Sequence, residues 1–162
     1  MRINELETEL KPLLKEMGYR KNRLTWYKCY AETTVVFSIQ KSLYGPDVWY
    51  YCFGVDVIAI NGKHGNSIDC CQVLDRYNQV ENGVRLTPQR LIQMIQTWEC
   101  KYGTIIDLQT RILQGEMPIM THGIAIKHLA ISAGVPESTF ANMTPTDWKA
   151  YYRNSLNLTT VA

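Results

Sequence analysis

Ile3, Leu6, Leu10, Leu13, Leu14 and Met17 recur three and four positions apart, so one face of the opening segment is apolar. Its acids come early and its lysines late, as a helix dipole favours, and Gly18 supplies a stop. The spacing predicts a first amphipathic helix. From Leu24 the chain becomes β-branched and aromatic, which predicts strands over residues 24–30, 34–42 and 48–60. Ala31-Glu32, Gly45-Pro46-Asp47 and Asn61-Gly62 mark the turns. Alternation puts Val35, Phe37, Ile39, Trp49, Tyr51, Phe53, Val55 and Val57 on one apolar side and Ser38, Gln40, Ser42, Tyr50, Cys52 and Asp56 on the other. An antiparallel sheet with one face on helices and one polar face satisfies both halves of that pattern.

Residues 67–77 are ambiguous. Ile68, Cys71 and Leu74 are spaced for a helix, while Cys71, Val73 and Asp75 alternate poorly as a strand, so a short element is expected. Thr87-Pro88 then places a cap before a proline, and Leu91, Ile95, Trp98, Tyr102, Ile105 and Ile112 lie along one stripe. This predicts a long helix over residues 88–114, bent at Gly103 and ended by Gly115 and Pro118. Helical pieces follow over 122–133, 136–142 and 145–154, the last opened by Thr144-Pro145. The expected architecture is α+β: an N-terminal helix, an antiparallel sheet of three or four strands, and a helical C-terminal half with one long helix. Residues 1–155 form one domain in this reading, and 156–162 a frayed polar tail.

The chain has 162 residues, 46% of them hydrophobic, enough for a core without disulfide or metal staples. The five cysteines, Cys29, Cys52, Cys70, Cys71 and Cys100, are odd in number and sit in apolar surroundings, which suits reduced packing residues. No stretch approaches the roughly twenty apolar residues of a membrane span, and Glu5, Glu7, Glu9 and Lys11 interrupt any leader-like core. A cytoplasmic location with no membrane contact is expected. A net charge of +2 is too slight to attract nucleic acid by itself. The excess gathers in Arg20-Lys21-Asn22-Arg23, which with Trp26, Tyr27 and Lys28 suggests either a phosphate-tracking patch or, more simply, a solvated link.

Candidate chemistry is sparse. His64, His122 and His128 stand beside no serine or cysteine in a nucleophile motif. His64 lies in the glycine-rich turn Asn61-Gly62-Lys63-His64-Gly65-Asn66, which lacks the spacing of a phosphate loop and reads as a solvated turn. Cys70-Cys71 are adjacent, whereas a tetrahedral metal wants the C-x-x-C spacing. Asp47, Asp56, Asp69, Asp75, Asp107 and Asp147 form no metal-binding or general-base pattern. No catalytic residue, metal site or cofactor is predicted.

Residues 126–140 are similar to a bacterial helix-turn-helix, with Ala130, Gly134 at the turn, Val135, and Ser138-Thr139 opening a second helix. Lys127, Ser138 and Thr139 would be its DNA contacts. The second helix nevertheless has no Arg, Lys or Gln and carries Glu137, so a structural helical corner is the better account of the small residues.

The elements Leu10-Lys11-Pro12-Leu13-Leu14-Lys15-Glu16-Met17-Gly18-Tyr19-Arg20-Lys21, Thr25-Trp26-Tyr27 and Val36-Phe37-Ser38-Ile39-Gln40-Lys41-Ser42 occur in that order. Across about the first sixty residues the chain resembles a bacterial family of unknown function, DUF4304. The resemblance implies an α+β domain with an antiparallel sheet and assigns no activity or functional residue. The sequence thus points to a non-catalytic protein-binding module, most concretely an immunity or antitoxin-type inhibitor whose partner is another protein such as a toxin. Ser38, Gln40, Tyr50 and Asp56 would form its contact surface, with Tyr50 as the aromatic anchor. Two alternatives stand beside it. One is a DNA-binding regulator using residues 122–143. The other is an enzyme or ligand-binding protein with a site between sheet and long helix, marked by His64 or His122 near a carboxylate.

Overall fold

In a computed structural model of the protein, which describes residues 2–45 and 47–150, the chain opens with helix α1, Ile3–Glu16. Leu6, Leu10 and Leu14 are its buried stripe. The helix ends where Gly18 takes φ +88°, a backbone state that disfavours any Cβ. Gly18 N–H then bonds to the Lys15 carbonyl and Tyr19 N–H to that of Leu14, which turns the Tyr19 ring inward.

Five strands follow in an antiparallel sheet: β1, Arg20–Asn22; β2, Thr25–Cys29; β3, Thr33–Lys41; β4, Trp49–Val57; and β5, Val73–Asn78. The spatial order equals the sequence order. Between β4 and β5 lie a helical turn α2, Ile58–Asn61, and a 3₁₀ turn, Ile68–Cys70. A two-stranded ribbon comes next, β6, Val80–Glu81, and β7, Val84–Arg85, and then helices α3, Pro88–Tyr102; α4, Ile105–Gln114; and α5, Gly123–Ser132. A 3₁₀ turn, Glu137–Phe140, follows, and residues 145–150 are helical. The fold is thus α+β with an N-terminal helix, an antiparallel sheet and a helical second half, and the sheet has five strands rather than three or four.

Three elements depart from the sequence pattern for identifiable reasons. The long helix is two helices, because Thr104 caps α4 by accepting Asp107 N–H while Asp107 caps Thr104 in return. The segment after Pro136 is a single 3₁₀ turn; Pro136 and the left-handed Asn142 (φ 63°) leave too few residues between them for an α-helix. Arg20–Asn22 is an edge strand, not a link, hydrogen-bonded to β2 through a turn at the left-handed Arg23. The end of the helix expected to reach residue 154, the tail at 156–162 and position 46 of the expected turn lie outside the described residues.

One sheet face packs against the helices. Trp26, Phe37, Tyr51, Phe53 and Val55 meet Leu10 and Leu14 of α1, Leu91, Ile95 and Trp98 of α3, Leu108 of α4 and Leu129 of α5 in a single core. The second face has a smaller cluster of Val36, Cys52, Ile68 and Cys71. Gly54 makes that cluster possible: a Cβ there would stand 2.6 Å from Cys71 Sγ and 2.8 Å from Ile68 Cδ1. Gly54→Ala is therefore expected to lower stability by about 1–3 kcal/mol through overpacking; chemical unfolding would read this as a lower midpoint at unchanged slope.

Candidate functional site

The register sorts the second face into rows. Gln40, Tyr50 and Asn78 form the row nearest the β3–β4 turn; Thr25, Ser38, Cys52 and Arg76 the next; Tyr27, Val36, Gly54 and Leu74 the third; Cys29, Thr34 and Asp56 the fourth. Residues 58–72 fold over the last two rows. Asp56, 0% exposed, accepts Gly65 N–H at 2.7 Å and the Gln72 side-chain amide at 3.0 Å. Gln72 Oε1 in turn accepts Val57 N–H at 2.7 Å, and Thr34 Oγ1 lies 2.8 Å from His64 Nδ1. The face expected to be polar and open is thus half covered.

The four residues expected to form one contact surface therefore separate. Asp56 belongs to the hydrogen-bond set that pins residues 58–72. Ser38 is buried, its hydroxyl 2.9 Å from Thr25 Oγ1. Gln40 and Tyr50 are half-buried and face each other across β3 and β4. Arg76, absent from the sequence expectation, joins them: its guanidinium lies 5.4 Å from the Tyr50 ring centroid and donates to Gln40 Oε1 at 3.4 Å. Beyond this row the β3–β4 turn presents Leu43, 100% exposed, and Tyr44, 91% exposed.

Two clefts flank β5. On the second face, one of about 250 Å³ is lined by Gln40, Cys52, Leu74, Arg76, Met120 and His122, with Asp69 at its side. On the helix-facing side, one of about 270 Å³ lies between β5 and α3, lined by Phe53, Asp75, Tyr77, Trp98, Lys101 and Tyr102. Tyr77 O–H donates to Asp75 Oδ2 at 2.9 Å, and Phe53 meets the Tyr77 ring edge-on with centroids 5.2 Å apart. At its rim Arg90 donates to both oxygens of Glu81, which holds the Glu81 carboxyl below its ordinary value.

Helix α3 is fixed beside the sheet by Glu99. This carboxylate accepts from Tyr19 O–H at 3.0 Å, from the Lys28 ammonium and from Tyr30 O–H. Burial and then Glu99 itself push the phenol of Tyr19 well above its usual range, and Tyr30 follows in the same order of causes. Burial is the largest single influence on the Lys28 ammonium and works to lower it, but the hydrogen bonds and charge of Glu99 and Tyr30 together outweigh it and the net shift is upward. None of this was visible in sequence, because the partners are 69 to 80 positions apart.

The remaining candidates do not converge. Burial raises the Cys52 thiol, with Arg76 opposing, and raises the Cys71 thiol far above its ordinary value, so both stay protonated near neutrality. His64 and His122 are exposed, and no group of three or more His, Cys, Asp or Glu able to hold a metal occurs among the described residues. Lys127 packs over the Trp148 ring at 4.8 Å, while Ser138 and Thr139 belong to the four-residue 3₁₀ turn. No helix among the described residues is long and apolar enough to cross a membrane.

A helix closed by a Gly-Tyr stop, an antiparallel sheet and a helical layer define an α+β domain class, and residues 10–112 match one family within it. The chain belongs to the family described as domain of unknown function (DUF4304). The match runs past the first sixty residues into α4. No curated protein and no solved structure matches the chain.

Two outcomes follow from these clusters. Glu99→Ala strands three donors and is expected to destabilise the fold by about 2–4 kcal/mol in denaturant melts. Tyr19, Tyr30, Tyr51, Tyr77 and Tyr102 are all raised, first by burial. Above about pH 10 the unfolded chain loses these protons before the folded one does, so stability falls as pH rises through that range. Thermal melts from pH 8 upward should show full stability at first and a declining midpoint above about pH 10.

Proposed function

We propose that this chain is a non-catalytic, cytoplasmic protein-binding domain of bacterial origin, acting as an immunity or antitoxin-type inhibitor of a partner protein. The single observation that supports this reading most is the Arg76–Tyr50–Gln40 group, an arginine laid on a half-buried tyrosine beside an open cleft. Arg and Tyr in that arrangement supply large contact area with little side-chain freedom left to lose, the usual composition of an interface hot spot. The exposed Leu43 and Tyr44 extend the surface at one end. Protonated buried thiols favour binding over thiol chemistry.

A small-ligand role draws its support from the aromatic cleft between β5 and α3, although that cleft contains neither His64 nor His122. A DNA-reading role has less, since a four-residue 3₁₀ turn is too short to lie along a major groove.

Co-purification of the full chain with a stoichiometric protein from its host, identified and then titrated as a pure protein, tests the leading reading. Tyr50→Ala and Arg76→Ala are expected to weaken that complex at least tenfold, equivalent to about 1.4 kcal/mol, while each variant still unfolds in one cooperative transition. An identified partner whose affinity neither substitution changes would remove this face from the function.

A further inference from the structure

The hydrogen-bond parity of the sheet turns one edge outward. Ser42 N–H donates to the Val48 carbonyl at 2.8 Å, one step beyond the Lys41–Trp49 pair. Bonded pairs alternate along an antiparallel ladder, so even-numbered residues of β3 and β4 bond to each other and odd-numbered residues of β4 turn toward β5. The Val55 carbonyl, which accepts Gln72 N–H, obeys this rule. On β5, Val73, Asp75 and Tyr77 therefore bond to β4, and Leu74, Arg76 and Asn78 direct their N–H and C=O groups away from the sheet. The Gln72 carbonyl just upstream is taken by His122 N–H at 2.7 Å, whereas Arg76 N–H is held by its own neighbour, Asp75 Oδ1, at 2.8 Å. Positions 76–78 are exposed. The opposite edge, β1, offers three residues, two of them Arg20 and Lys21.

We propose that the edge at residues 74–78 captures an extended segment of a partner protein as a sixth strand. This rests on the protein-binding reading and specifies its mode. Side chains of an added strand alternate between the two faces, and a cleft lies on each: the aromatic one beside Asp75 and Tyr77, the other beside Leu74 and Arg76. Charge then selects the sequence. A partner residue opposite Asp75 meets a carboxylate and the Tyr77 and Trp98 rings, across the cleft from Lys101, which suits a basic side chain. Its neighbour, opposite Arg76, suits an acidic one. A second copy of this chain is a poorer occupant, since the antiparallel registers centred on the charged pair set Arg76 against Arg76 or Asp75 against Asp75.

Seven-residue linear peptides displayed on phage and panned on the full chain provide the probe, with selected sequences synthesised and titrated. Selection should enrich a basic residue next to an acidic one, and binding should slow amide exchange at Arg76 and Asn78. Asn78→Pro removes an outward N–H at an exposed edge position where proline is tolerated while keeping the Arg76 side chain, and should reduce affinity at least tenfold. Asp75→Lys should exchange the basic preference for an acidic one, a change of specificity that misfolding does not produce. Absence of an enriched pattern, affinity that survives Asn78→Pro, or protection elsewhere overturns the sixth strand. An identified protein partner that tolerates Asn78→Pro but not Tyr50→Ala or Arg76→Ala also overturns it and leaves the face-binding reading standing; one that tolerates all three overturns the two together. A dimer seen by light scattering and dissolved by Asn78→Pro would assign the edge to self-association and likewise overturn the proposal.

Discussion

Asp56, a carboxylate withdrawn from water, sets the outline of the second sheet face. Such a group is costly to bury unless donors surround it. Here the donors are Gly65 N–H and the Gln72 amide, and both lie in the segment that must fold back over β4 to deliver them. Gln72 also ties down Val57 N–H, so one side chain closes the end of β4 while its backbone leads directly into β5. The covered rows, the apolar contact of Cys71 and Ile68 on Gly54, and the open row at Gln40 and Tyr50 all follow from where this segment is pinned.

The sequence disclosed what depends on near neighbours. Alternation along β3 and β4 put Val35, Phe37, Ile39, Trp49, Tyr51, Phe53, Val55 and Val57 on the core side but missed Thr33, which is buried there against the Gly103 carbonyl, and the spacing of Leu6, Leu10 and Leu14 located α1. Alternation assigns a side, however, and cannot say what covers it; Asp56 looked like a surface residue because its donors come nine and sixteen positions later. β5 was obscured by Asp75, a charged residue on the helix-facing side that is tolerated there because it lines a cleft and receives Tyr77 O–H. The β6–β7 ribbon carries its own local signal in Asn82-Gly83, both with positive φ, which a reading of alternation alone passes over. The Gly-Tyr element behind the family resemblance has a physical role, because Gly18 reverses the chain so that Tyr19 can reach Glu99.

Glu99 connects that chain reversal to the candidate site. The same α3 that presents Glu99 to Tyr19, Lys28 and Tyr30 carries Trp98, Lys101 and Tyr102 along the cleft beside β5. The distance between helix and sheet edge is thus held from the far side of the helix by residues of the α1–β2 region. A cleft wall supported in this way is preorganised, and little ordering remains to be done when something enters it.

The bond from Ser42 to Val48 closes the β3–β4 ladder before the turn that carries Leu43 and Tyr44. Everything inside that bond is bound by register, because a shift of one residue would exchange the two faces of β4. Beyond it Leu43 and Tyr44 stand clear of the ladder, while the Gln79 side-chain amide ties back the Asp47 carbonyl at 3.1 Å. The tip can therefore change length and chemistry without disturbing the strands beneath, which makes it the stretch of this surface where new selectivity is cheapest to acquire and the natural position for an inserted label or tag.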